Sequence, residues 1–413
     1  MSLKVRCILV LVIGTVLGLT VSLGSSVLAE LEARLAARNS ATLPARSVQR
    51  LAEVIERVRR EYVDQIDDER LIESAIRGVL AELDSHSRYL DARAYEDIRI
   101  ATTGNYSGVG LDVRVEDGRV TVVTPLDGGP AERVGILPGD VLISVDDMPV
   151  NGDNVEETTS RMRGTPGTPV TIGILRDGTE DPLRFALTRA EINVKTIRAA
   201  YFGDGYGYIR LTGFSDSTAH DLDEAARALN VESETKLKGL VLDLRNNPGG
   251  VLDAAVQVAD RFIDEGLIVR GVGRIRQARF EKRARAGDEL EQVPLVVLVN
   301  SGSASASEIV AGAVQDHDRG EIVGERTYGK GSVQTVLPIS EGNAIKLTTS
   351  RYIMSSGRSI NGVGIYPDVV VRNADPRRQY RGPGGSVAAG DDQQLQQALR
   401  LIGYDPVALS ELQ

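Results

Sequence analysis

Two short apolar runs, in Lys238–Leu244 (KGLVLDL) and Pro294–Val299 (PLVVLV), each feed into a turn built of small residues. Runs of this length, rich in β-branched residues and without alternation, suit strands buried on both faces, as in a parallel sheet covered by helices. After the second run, Ala304–Val314 has helical spacing, so Ser301-Gly302-Ser303-Ala304-Ser305-Ala306-Ser307-Glu308 falls on a strand-to-helix junction. A hydroxyl there is presented at the carboxyl edge of the sheet, beside helix N–H groups that can stabilise an oxyanion. Serine is a poor nucleophile at neutral pH, however, and needs a base.

Ser305 and Glu308 also satisfy the S-x-x-E capping box, in which the hydroxyl merely serves a free helix N–H. What points beyond capping is Lys330, isolated in Gly329-Lys330-Gly331. Lysine acts as a general base only where burial lowers its pKa. The flanking glycines permit close backbone approach, and Gln334, four residues on, is a neutral amide able to orient an amine without holding it protonated. A solvated turn lysine is the alternative. The first run leads into Asn246-Asn247-Pro248-Gly249-Gly250, whose glycines can expose backbone N–H groups and supply half of an oxyanion hole. An ordinary strand-to-helix turn has similar composition, and the G-K-[ST] ending of a phosphate loop is missing.

Three blocks, Asp243–Gly250 (DLRNNPGG), Asn300–Asp316 (NSGSASASEIVAGAVQD) and Gly329–Gln334 (GKGSVQ), resemble in order and spacing the carboxyl-terminal processing proteases, tail-specific Ser/Lys endopeptidases of peptidase family S41. The resemblance implies Ser305 as nucleophile, Lys330, 25 residues on, as base, and Gln334 as its support. It also implies an oxyanion hole formed by Gly249 or Gly250 together with the N–H of Ala306. Ser303 and Ser307 remain structural alternatives. The implied fold is an α/β protease core of alternating strands and helices (ClpP/crotonase-like), interrupted by a PDZ domain, with helical segments at both ends.

Within 104–190, Val113–Val123 alternates around Asp117-Gly118, a hairpin signal, and Gly129–Leu142 (GPAERVGILPGDVL) follows. This stretch resembles a PDZ domain of the bacterial protease type, which binds a peptide as an added strand and holds its carboxylate on backbone N–H groups. Gly108-Val109-Gly110-Leu111 is then the carboxylate-binding loop. A β-rich packing module is the alternative reading. Arg163 is either a surface residue or one able to reach the protease core or a substrate carboxylate.

The remaining composition narrows the function. A net charge of −10 over 413 residues argues against a nucleic-acid partner, and the basic cluster Arg270, Arg274, Arg276, Arg279, Lys282, Arg283 and Arg285 reads as a solvated loop or a hairpin face, able also to steer acidic partners. A single cysteine, Cys7, excludes an internal disulfide and a cysteine metal cluster, and three scattered histidines make a poor metal site, so neither metal nor cofactor is expected. His317 would stand about 20 Å from the start of the serine helix at roughly 1.5 Å per residue, too far for a Ser-His-Asp triad. His86 is assigned to an amino-terminal helix and His220 to an exposed one.

Lys4 and Arg6 before the apolar run from Cys7 to about Leu23, then Val27-Leu28-Ala29, read as a signal peptide over 1–29. The expected compartment is the bacterial periplasm; an inner-membrane anchor facing it is the alternative. Residues 30–103 are expected to be helical, 191–372 to form the protease core with part of 48–103, and 373–413 to be a linker and a terminal helix carrying Leu395, Leu399 and Ile402 on one face. That helix either mediates an oligomer or packs on the core. The expected substrates are unfolded or accessible protein carboxyl termini, with an adaptor or activator and self-association through the terminal helices as further expectations. A non-proteolytic PDZ scaffold and a small-molecule hydrolase on the same core are the competing functions.

Overall fold

The structure is a computed structural model describing residues 44–404, apart from 127, 180, 235, 288–289, 291, 373–378, 381 and 383–388. The expected signal peptide and most of the expected linker lie outside the described residues. Two compact units divide at Val79 and Leu80. In the first, Ala45–Glu61 is an amphipathic helix with no buried residue; Leu51, Val54 and Val58 recur at helical spacing, and Arg59 pairs with Asp68 at 3.3 Å. A second helix, Asp68–Ala81, starts with two acidic residues that suit the positive end of its dipole.

The second unit is built on a six-stranded sheet in the order Ile197–Tyr201, Tyr206–Leu211, Gly239–Asp243, Leu295–Val299, Glu321–Gly324, Val369–Val370. Its first pair is antiparallel and the others parallel. Both apolar runs occupy the middle, buried throughout. Their side chains alternate between two cores: Leu295, Val297 and Val299 pack with the helices Thr218–Glu232, Leu252–Asp260 and Ala306–Asp316, while Val296 and Leu298 face Leu395 and Leu399. The helix Gln393–Leu401 thus covers the opposite face of its own sheet, which decides between the two roles expected of it.

A second, antiparallel sheet combines Arg88–Leu90, Ala344–Met354, Gly266–Gly273 and Phe280–Ala284, with Ser332–Pro338 also paired to Ala344–Met354. It places the start of Ser332–Pro338, and hence Lys330, beside the carboxyl edge of the first sheet. Of the basic cluster, Arg270, Lys282 and Arg283 lie on the hairpin Gly266–Gly273/Phe280–Ala284 and the other four residues lie outside its strands, so the stretch divides between the two arrangements expected of it. Residues 111–188 form a separate six-stranded β-module around Val120, Leu142, Ile172 and Ile174. Asp117 and Gly118 both have positive φ, as a two-residue type I′ hairpin demands. The pair Asn105–Gly108 and Ala190–Asn193 closes the base of this module.

Two expectations need correction. His86 is not helical: it sits in a turn held by the Asp84 carboxylate, which accepts the His86 and Ser87 N–H groups. Part of the expected linker is anchored: Gln379 is buried and accepts from Asn246, and the Tyr380 ring packs on Tyr208 and Phe202.

The buried cluster beneath the Asn246–Gly250 loop explains that anchoring. Arg245, fully buried, pairs with Asp243 at 2.7 Å and Asp392 at 2.8 Å, and donates to Gln394 at 3.0 Å. Burial alone would raise the Asp243 carboxyl, but the Arg245 and Arg210 guanidinium groups hold it below its ordinary value. Asp392 meanwhile caps the terminal helix through the N–H groups of Gln394 and Leu395. Asp392→Ala leaves Arg245 short of one buried partner and removes the cap, so we expect a loss of about 3–5 kcal/mol in denaturant unfolding. Because Asp243 is depressed in the folded state, its contribution is present above roughly pH 4 and is lost as pH falls through the folded value. Acid titration of the folded protein reads that loss.

Candidate active site

The serine turn follows from the requirement to leave a buried strand and enter a helix within a few residues. Ser303 Oγ donates to the Leu244 carbonyl at 2.8 Å and Ser307 Oγ to the Asn247 carbonyl at 2.9 Å. Both hydroxyls therefore stitch the serine turn to the chain leaving the strand Gly239–Asp243, Ser303 at Leu244 and Ser307 at Asn247. Ser305 is different. Its backbone stands at φ 57°, ψ −109°, a region costing of order 1–3 kcal/mol for a residue with a side chain. Its hydroxyl faces a cleft of about 390 Å³ lined also by Gly249, Gly250, Lys330, Gln334, Lys346 and Tyr352.

Glu308 is the residue that sequence reasoning undervalued. It is fully buried, and its two carboxylate oxygens accept four hydrogen bonds: from the N–H groups of Ser305 (2.8 Å), Gly329 (2.7 Å) and Lys330 (2.8 Å), and from Thr327 Oγ1. The capping half of its role was visible in the sequence. Its second half, fixing the lysine turn to the serine turn, joins residues 22 positions apart.

Lys330 is half-buried, and burial pushes its amine below the ordinary lysine value; the Glu308 charge opposes this and Arg88 reinforces it. A Cβ on Gly331 would lie 2.5 Å from the Asn361 N atom, so only glycine allows this approach. Gln334 makes no hydrogen bond to the Lys330 amine among the described residues. Its Nε2 donates to Ser332 Oγ at 2.9 Å and Thr348 Oγ1 at 3.3 Å, leaving Oε1 as its free acceptor.

The Asn246–Gly250 loop separates its two glycines. Gly249 N–H donates to Asn247 Oδ1 at 2.9 Å, whereas Gly250 and Ala306 N–H have no acceptor among the described residues. Gly249, at φ +102°, is required for space: a Cβ there would stand 2.9 Å from the Ala306 N atom. Tyr352, which nothing in the sequence singled out, places its phenol against the Ser305 hydroxyl; burial pushes it up to about 12, so it stays protonated. Tyr352→Phe removes that contact and we expect kcat to fall by roughly two- to tenfold with little change in melting, as one net hydrogen bond is worth.

His317 ends the serine helix and contacts the Leu267 carbonyl at 2.9 Å, and His220 is exposed beside Glu224, so neither joins this cleft. In the β-module, Val109, Gly110 and Leu111 line a pocket of about 330 Å³ with Tyr106, Leu126 and Met162. Gly108 lies next to it, on the strand Asn105–Gly108. Arg163 pairs with Asp97 of the helix Ala92–Thr103 at 2.6 Å and sits over the Tyr106 ring, so it spans from the module to the core side.

Comparison with known proteins now decides the family. Residues 205–371 match the model of peptidase family S41, 107–187 that of the PDZ domain, and 14–94 that of the activating protease CtpB N-terminal domain. A carboxy-terminal-processing protease of Bartonella bacilliformis is 45% identical over 334 residues, 81% of this chain and 76% of that protein. The chain belongs to the carboxyl-terminal processing proteases of family S41. It is thus a serine endopeptidase with a PDZ domain, and the scaffold and small-molecule alternatives gain no support. A carboxyl-terminal-processing protease of Synechocystis is 40% identical, over 72% of this chain and 70% of its own. Among solved structures, the photosystem II D1 C-terminal processing protease is 31% identical, covering 80% of this chain and 94% of its own, with a TM-score of 0.45.

Proposed function

We propose that this protease cleaves unfolded or accessible protein tails near their carboxyl termini with a Ser305/Lys330 dyad. The observation that carries the reading is the Glu308 carboxylate, which holds the backbone of both residues at the rim of one cleft. Neutral Lys330 takes the Ser305 proton as Oγ attacks the peptide carbonyl carbon. The carbonyl electron pair moves onto oxygen, where the N–H groups of Gly250 and Ala306 receive it. When the intermediate collapses, the C–N bond breaks and the Lys330 ammonium gives its proton to the leaving amine. Water then attacks the acyl ester, its proton passing to Lys330; as the C–Oγ bond breaks, Lys330 returns that proton to Oγ, which restores the Ser305 hydroxyl and the neutral amine and releases the new carboxyl group.

Gln334 Oε1 supports the lysine amine as acceptor. The Gly108–Leu111 loop of the PDZ domain receives the substrate's terminal carboxylate, and Arg163 ties occupancy of that domain to the core. An adaptor or activator and self-association through the amino-terminal helices fit the same reading, as does export to the bacterial periplasm by the basic and apolar segment over 1–29. The test is degradation of an unstructured protein by the wild type, Ser305→Ala and Lys330→Ala, with and without envelope proteins. Loss in both folded variants supports the dyad; equal cleavage by all three overturns it.

A further inference from the structure

The cleft holds more positive charge than the reaction needs. Lys346 lies on the strand Ala344–Met354, where it is the register partner of Arg88 on one side and Val336 on the other. Directly opposed residues of antiparallel strands project to the same face, so Arg88 and Lys346 stand side by side. Lys346 and Val336 line the same cleft as Ser305, Lys330 and Gln334. Lys346 is half-buried, and burial, with the charges of Lys330 and Arg88, pushes its amine down. Neither Lys346 nor Arg88 has an ion-pair partner among the described residues. The carboxylate that acts on Lys330, Glu308, is already engaged by four donors.

Holding Lys346 at a partly desolvated cleft beside the exposed Arg88 is unfavourable unless an anion completes the set. We propose that Lys346 and Arg88 form a carboxylate subsite of the protease cleft, which receives an acidic group of the substrate close to the bond being cut. That group is the terminal α-carboxylate of a short tail or the side chain of an Asp or Glu beside the scissile bond. The subsite is separate from the PDZ loop, and it discriminates substrates in the protease cleft rather than at capture by the PDZ domain. It rests on the Ser305/Lys330 reading for its link to catalysis.

Two matched peptide pairs test it. One pair differs only in a terminal carboxylate or amide a few residues beyond the cut; the other differs in Glu or Gln beside the cut. The quantity read is the acid-to-neutral ratio of kcat/KM for the wild-type chain, Lys346→Met, Lys346→Glu and Lys346→Arg. Taking the ratio within each variant cancels general losses of activity, and the PDZ contribution is common to all of them. The wild type should favour the acidic member of one pair by about tenfold or more, as expected for a charge-assisted contact. Lys346→Met should lower that ratio to what the PDZ loop alone supplies, near unity for the Glu/Gln pair; Lys346→Glu should lower it further, and Lys346→Arg should keep it. The pair that responds identifies the source of the carboxylate. A ratio that is the same in the wild type and Lys346→Met overturns the subsite, whatever its size. Peptide binding to Ser305→Ala, with and without Lys346→Met, separates the two readings. A Lys346-dependent preference for acid in binding, without Ser305-dependent cleavage, sinks the dyad and keeps the subsite; Ser305-dependent cleavage with no such preference does the opposite.

Discussion

Lys330→Met is expected to lower kcat/KM by roughly 10³- to 10⁶-fold, and Ser305→Ala combined with it should cost no more than either change alone. Nucleophile and base act as one unit, so removing either forfeits the same pathway. Lys330→Arg should not rescue, since a guanidinium cannot accept the proton at any working pH. Because the base must be neutral, kcat/KM should rise with pH through the lowered pKa of Lys330 and then level. Arg88 helps to depress that amine. In Arg88→Gln the rising limb should therefore shift to higher pH.

Lys330→Met has an opposite signature in stability. Burial lowers the folded pKa of Lys330, so the unfolded chain binds more protons between the two values. That difference works against folding, fully so below the folded pKa, and it fades as pH rises through the unfolded one. Methionine fills similar space without the charge. Lys330→Met should consequently melt no lower than the wild type at neutral pH while being inactive. A marked drop in melting temperature would mean that the amine is solvated and the lysine merely part of a turn.

The residues that announce the chemistry are those whose roles are local. Ser305 sits on a turn bounded by a buried strand and a helix, and Lys330 stands between glycines; both features are written in neighbouring residues. The middle strands were legible for the same reason, since burial on both faces removes alternation from the sequence itself. What stayed hidden is long-range. Tyr352 and Lys346 both line the cleft from one eleven-residue strand, and the polar spacing in AIKLTTSRYIM marks neither. Arg245 belongs to a conspicuous block, but its partner Asp392 is 147 residues away. The terminal helix showed its apolar face plainly, whereas the surface that face covers is set by Tyr208, Val241 and the pair Val296 and Leu298, on three different strands.

Glu308 is where these two kinds of information meet, and its replacement should produce the largest combined loss of stability and activity. Glu308→Ala removes the acceptor for three backbone N–H groups and the Thr327 hydroxyl, all in the interior of the unit. Unsatisfied buried donors cost about 1–3 kcal/mol each, so a destabilisation of about 4 kcal/mol or more is expected. Glutamine does not repair this. One carboxylate oxygen serves Ser305 and Lys330 and the other Gly329 and Thr327, so either orientation of an amide turns its NH₂ group toward two donors. Glu308→Gln should remain folded but lose at least about a hundredfold in kcat, because the serine and lysine turns are no longer fixed to each other. KM should change much less, since Glu308 does not line the cleft where substrate sits. Labelling of Ser305 by a fluorophosphonate would slow in parallel with kcat. Normal labelling together with a raised KM would place Glu308 in substrate binding instead, and a folded Glu308→Ala protein with wild-type melting would reduce it to an ordinary helix cap.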